Sequence, residues 1–271
     1  LGQEFARQLA CFGFHLILIG RRRNVLTDLA NELEKECGIQ TVRVVTDFTT
    51  GLVAFDSVIL SVLQDKDVGL LVNADVLFPW SVSRFHRLRI EHLWNMVSLN
   101  CSATAALTNM VLRTNFVPKR KGLVVLLSSG LGTMPYPFLA LHSATARCMS
   151  HLAECLRNEY AGDFPAIKIQ LLQPLFLTHP SSSASLLTVE EESPTHRFSV
   201  LPSYRRIWFW FRSFWRPTTT CYARQALWTF GMTPATTGCF SHTILNWLLS
   251  CCPQNLFLYA FRSLMPPLMN L

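Results

Sequence analysis

Apolar residues recur along the chain in two alternating rhythms. Phe5, Leu9 and Phe12 stand at helical spacing across residues 1–11, and Gly13 ends that segment. The short apolar run at 15–20 has the composition of a parallel strand buried on both faces. Helical spacing returns over 24–37 and stops at Gly38, a residue suited to a left-handed helix cap. Further strands are predicted over 40–45, 68–73, 122–127 and 167–173, the last stopped by Pro174. Helices are predicted over 55–63, 90–116 and 138–160. Strands alternating with helices at this interval predict an α/β fold with a doubly wound parallel sheet. No internal repeat interrupts the pattern.

The character of the chain changes after residue 180. Residues 181–202 run from SSSASLL through Glu190-Glu191-Glu192 to Pro194 and Pro202, which reads as a flexible excursion or lid. Residues 205–216 alternate arginine with tryptophan and phenylalanine, either as a membrane-seeking segment or as a cap helix packed on the core. Residues 238–271 are largely apolar, with breaks at Pro253, Pro266 and Pro267. The expected organisation is one domain: a core over 1–180, the excursion over 181–204, and an apolar, membrane-leaning C-terminal cap over 205–271.

Composition narrows the function classes. The 271 residues are half hydrophobic and only 15% charged, and the formal net charge is +7. No zinc, RNA-recognition or helix-turn-helix pattern accompanies that charge, so nucleic acid is not the expected partner. Positive charge beside many aromatic residues suits an anionic membrane surface or an anionic cofactor. The nine cysteines show neither a C-x-x-C pair nor metal-ligand spacing; they are expected to be reduced, mostly buried thiols, and no metal site is expected. Cys251-Cys252 reads as an apolar pair or as an acylation site. The chain opens on Leu1 with no visible signal peptide and no uninterrupted run of 18 apolar residues. That start suggests an incomplete chain, and leaves a targeting or membrane segment upstream open.

The chemistry centres on one spacing. Ser129 precedes His142 by thirteen residues, and Ala146 follows four further on. With these stand the strings Asp65-Lys66-Asp67-Val68-Gly69-Leu70-Leu71-Val72-Asn73, Thr108-Asn109-Met110-Val111-Leu112, Leu127-Ser128-Ser129-Gly130 and Thr237-Gly238-Cys239-Phe240-Ser241-His242. Together they resemble the short-chain dehydrogenase/reductase family. The match is to the branch holding microsomal 17β-hydroxysteroid dehydrogenases, very-long-chain 3-oxoacyl-CoA reductases and hydroxysteroid-dehydrogenase-like proteins. The resemblance implies a Rossmann-like sheet whose first strand and glycine turn would precede Leu1.

It also implies roles for individual residues. Gly2 matches the end of the glycine turn that brings backbone N–H groups to a pyrophosphate. Arg21 matches the cation that meets the 2′-phosphate of NADP, with a solvated basic turn as the equal alternative. Asp47 matches the carboxylate at the adenine, or simply ends a strand, and Asn73 matches the first asparagine of an N-N-x-G segment. Ala74, Asp75 and Val76 depart from that segment and would crowd or repel a dinucleotide. Pro174 matches the proline of the nicotinamide loop, while His179 takes its threonine register and Thr178 is displaced by one. His196 and His242 are expected to be structural or surface residues.

In the family a serine polarises the substrate carbonyl, a tyrosine donates the proton, a lysine lowers the tyrosine pKa and holds the ribose, and an asparagine orders a water relay. Ser129 and Asn100 match the serine and the asparagine. The tyrosine has become His142 and the lysine Ala146. Imidazole can donate a proton, but Ala146 brings no cation, and Arg147 is turned about 100° away around the helix. Losing a placed general acid costs about 10²–10⁴-fold in rate.

Two function classes follow. The first is a catalytically impaired hydroxysteroid-dehydrogenase-like protein associated with lipid or membrane, with NADP(H) bound weakly if at all. The second is an active NADPH-dependent reductase of a steroid or long-chain 3-oxoacyl carbonyl using Ser129, Asn100 and His142. A third, an incomplete product without folded function, follows if Leu1 is a true start. The resemblance implies a place at the endoplasmic reticulum membrane, or alternatively in mitochondria. A homodimer is compatible with it.

Overall fold

Each described strand runs parallel to its neighbour. β1 (Leu16–Gly20) pairs with β2 (Thr41–Val45) as a two-stranded sheet. β3 (Leu70–Asn73), β4 (Gly122–Leu127), β5 (Ile167–Leu172) and β6 (Ala235–Thr236) follow in that order in a second sheet. The computed structural model describes residues 1–49, 53–74, 83–175, 177 and 216–269, with side chains except at 53–56, 260 and 264–269. Asp75, Val76, Thr178, His179, His196, the 181–202 excursion and residues 205–215 lie outside the described residues.

The helices are α1 (Gly2–Cys11), α2 (Arg23–Cys37) and α3 (Val53–Asp65), then a long rod over 90–119. The rod comprises α4 (Ile90–Val97), α5 (Thr104–Val111) and α6 (Val117–Lys119), joined by wide π turns at Ser98–Ala103 and Leu112–Phe116. After β4 come α7 (Ala140–Tyr160), α8 (Thr219–Leu227), α9 (Phe240–Cys251) and α10 (Gln254–Met269). Gly38 closes α2 at φ +66°, a conformation that costs glycine nothing. α7 begins two residues later than its apolar spacing predicts, because Phe138 sits at φ +65° and cannot continue a right-handed helix.

Strand alternation builds a core on both faces of the larger sheet. Val124 and Leu126 point to one face with Ile167, Ile169 and Leu171, where they meet Leu99, Leu107, Val111 and Phe116 of the rod. Val125 and Leu127 point to the other face, where Phe5 of α1 and Tyr222, Ala223 and Ala226 of α8 cover them. This two-sided burial is why the strands read as continuous apolar runs. α8 and β6 had no distinct periodic signature, yet they build residues 219–236 into this core. β6 extends the sheet beside β5, and Gln170 of β5 holds the preceding turn through Thr229 and Gly231.

α1 straddles the two sheets. Phe5 packs with β4 and β5, whereas Ala6 and Ala10 pack with Leu18 of β1 and Leu29, Ala30 and Leu33 of α2. Among the described residues no strand bridges β1 and β3, so one edge of each is without a partner strand.

The cysteines depart from the expectation of mostly buried thiols. All nine are free; only Cys239 is buried, while Cys11, Cys148, Cys155 and Cys251 are exposed. Most lie on the outward faces or ends of helices, where a small apolar side chain is tolerated at the surface. Among the described residues no helix is long and apolar enough to cross a membrane.

Candidate active site

Because the strands are parallel, their C-terminal ends open on one edge of the molecule. That edge gathers the turn after β1 with Arg21, the turn after β2 with Asp47, the end of β3 with Asn73, and Ser128-Ser129 after β4. Gly2, the first residue of α1, belongs to the same edge: a Cβ at Gly2 would lie 3.6 Å from the Ala74 side chain.

The groups expected to transfer a proton are all buried. Asn100 lies in the first π turn of the rod, where the widened backbone breaks the regular ladder. Its Nδ2 donates to Thr145 Oγ1 at 3.2 Å, and Thr145 Oγ1 donates to the His142 carbonyl at 3.1 Å. The asparagine is thus tied to the α7 backbone. Thr145 was not singled out from sequence, although a polar residue three beyond His142 on the buried helix face was the available signal. His142 is 2% exposed and Ala146 5%.

The serine has local work. Ser129 Oγ accepts from Leu131 N at 3.2 Å, capping the short helical turn Gly130–Gly132. Ser128 Oγ donates to the Ala146 carbonyl at 2.9 Å, and Ser150 Oγ donates to the same oxygen at 3.0 Å. Ser143 anchors the loop after β4 by donating to the carbonyls of Leu131 and Met134. α10 roofs that loop, with Phe257 and Phe261 edge-on to Tyr136 at 5.5 and 5.4 Å. This burial raises the Tyr136 phenol above its ordinary pKa.

Asn100, Leu127, Ser128, His142, Thr145, Ala146 and Met149 line a small pocket offering about 10 Å³ to the centres of water-sized molecules, room for one water. The loop after β5 presses on the site from the other side. Gly130 N donates to the Pro174 carbonyl at 2.8 Å, and a Cβ at Gly130 would come within 2.5 Å of Leu175. His242, expected to be structural or surface, is structural: fully buried, it accepts from Leu175 N at Nδ1 and holds this loop.

A family model described as short chain dehydrogenase matches residues 1–185. The chain belongs to the short-chain dehydrogenase family. Among relatives, the human protein named "Inactive hydroxysteroid dehydrogenase-like protein 1" is 31% identical over 245 residues, covering 90% of this chain and 66% of that relative's length. The duck (Anas platyrhynchos) very-long-chain 3-oxoacyl-CoA reductase is 26% identical over 259 residues, covering 94% of this chain and 73% of that relative. A structure from work on 7β-hydroxysteroid dehydrogenase stereoselectivity superposes with TM-score 0.73 at 16% identity, covering 96% of this chain and 92% of its own. The Rossmann-like assignment therefore stands, and these relatives carry names from the hydroxysteroid-dehydrogenase branch.

Family membership sharpens the fit of a dinucleotide to these residues. The adenosine end fits in part. Arg21 is exposed in its turn, while the Asp47 carboxylate already accepts from Thr49 N and Oγ1 at 2.9 and 2.8 Å. At the position expected to carry the family's lysine stands Ala146, which is buried and has no donor to offer a ribose.

Proposed function

We propose that this chain is a catalytically silent hydroxysteroid-dehydrogenase-like protein that holds a lipid-like molecule or a membrane surface and does not reduce a ketone. The observation that carries this reading is the small pocket at His142 and Ala146. Asn100 is spent on Thr145, the lysine position has no cation, and the remaining space takes one water. A bound NADP(H) would supply hydride chemistry; this chain's residues offer Arg21 to its 2′-phosphate and nothing at position 146 to its ribose. Weak binding through the adenosine end is the expected result.

The name of the human relative supports the same reading. Exposed Trp247, Leu248, Leu256 and Tyr259 on α9 and α10 supply an apolar surface for lipid, consistent with a place on the endoplasmic reticulum membrane.

A second reading rests on His142 itself. The imidazole stands at the tyrosine position, and imidazole has an ordinary pKa near 6.5, so it is a competent acid in principle. Incubating the chain with NADPH and long-chain 3-oxoacyl or steroid ketones separates the two. Silence is expected, with a small thermal shift at millimolar NADPH. Turnover abolished by His142→Ala would establish the active reductase instead.

A further inference from the structure

The α1–α2 contact carries a feature unrelated to the cofactor edge. The two helices run side by side in the same direction, since Arg7 meets Glu32 and, further along both, Cys11 meets Cys37. Arg7 Nε and the second guanidinium nitrogen reach the two Glu32 oxygens at 2.6 and 3.0 Å, a bidentate pair that fixes the lateral register. Beyond it the sulfurs of Cys11 and Cys37 lie 3.9 Å apart at the C-terminal ends of their helices. Cys11 is exposed and Cys37 half-buried, so a small oxidant can reach them.

We propose that Cys11 and Cys37 are a disulfide site, closed under oxidising conditions by exchange with a glutathione-type disulfide. Bonded sulfurs stand about 2.05 Å apart, so closure needs the two to approach by under about 2 Å. The Cys11 thiolate attacks one sulfur of oxidised glutathione, that S–S bond breaks, and one glutathione thiolate leaves. Cys37 then loses its proton to water and attacks the Cys11 sulfur, releasing the second glutathione. Two protein thiols are oxidised, and one glutathione disulfide is reduced to two thiols.

Local electrostatics make the bond slow to form. Partial desolvation, Cys11 itself and the carboxylates of Glu36 and Glu32 hold the Cys37 thiol above its usual range. Exchange is therefore faster at mildly alkaline pH. Cys101, adjacent to Cys148, is pushed up to about 12, chiefly by burial, and reacts more slowly still. The bond would close a loop spanning 26 residues that contains β1 and the Arg21–Arg23 turn, fastening α1 to the smaller sheet.

The test incubates the full chain with oxidised glutathione at mildly alkaline pH, alkylates the remaining thiols and maps unreduced peptides by mass spectrometry. A Cys11–Cys37 cross-linked peptide is expected, lost on reduction and absent from Cys11→Ser and Cys37→Ser. Oxidation should also raise the melting temperature by a few degrees in the wild type and not in either variant. Stable glutathione adducts on both cysteines without a cross-link, a bond from either to another cysteine or another chain, or two unreacted thiols would each overturn the assignment.

Discussion

Gly132 lies directly against Ala146: a Cβ on Gly132 would come within 2.9 Å of the Ala146 carbonyl carbon and 3.0 Å of its Cβ. The loop after β4 packs tightly on α7 at the position expected to carry the family's lysine. Restoring the residue types is then not enough to restore the site. His142→Tyr with Ala146→Lys should remain silent towards NADPH and ketone, and should lose about 1–3 kcal/mol of stability in urea unfolding from overpacking. A buried, unpaired ammonium adds to that loss. Turnover in the double variant would show that the pocket reopens and would overturn this view.

Gly238 makes a second close approach, at φ +81°, with Tyr222 Oη 2.3 Å from the place its Cβ would take. Tyr222 is fully buried on the α1 face of the larger sheet. Gly238→Ala combines a disfavoured backbone with a clash and should cost roughly 2–4 kcal/mol. Chemical denaturation reads the change. An unaffected midpoint would mean that the tyrosine gives way freely.

Acid sensitivity should have an identifiable contribution at Glu32. Its hydrogen bond with Arg7 holds its pKa below the ordinary carboxylate value, so the unfolded chain binds the proton more readily. The pair's stabilisation is complete above the ordinary glutamate range and is lost as pH falls through the lower folded value. With both side chains about one third exposed, its size is about 0.5–1 kcal/mol. Glu32→Gln should lower stability by that amount at neutral pH and flatten the acid limb of a stability–pH profile.

The lipid reading makes a direct demand on α9 and α10. Vesicles of phosphatidylcholine and phosphatidylserine should co-sediment with the wild-type chain, and Trp247→Ser with Leu256→Ser should reduce the bound fraction several-fold. Equal sedimentation of wild type and variant would remove this surface from the argument.

Much of this architecture was legible in the apolar rhythm. The runs at 15–20 and 122–127 are strands because both faces are covered, and Gly38 ends its helix for the reason its type suggests. The spacing between Ser129 and His142 pointed to residues that the fold brings together, since Ser128, His142 and Ala146 line one small pocket. Other features left no local mark. A π turn at Asn100 has the same composition as ordinary helix, and the left-handed Phe138 breaks a helix whose apolar spacing runs through it. The role of Ser129 as a cap depends on the loop folding back. That Cys11 is exposed and Cys37 half-buried depends on which side of each helix faces the core, and spacing alone does not decide that for a small residue near a helix end.

The position of α1 across both sheets has a mechanical consequence. α1 couples the two sheets by side-chain packing, with Phe5 on the larger and Ala6 and Ala10 on the smaller. Amide exchange should resolve two cooperative units: a small one of β1, β2 and α2 that opens readily, and a larger one around β4 and β5 that exchanges only on global unfolding.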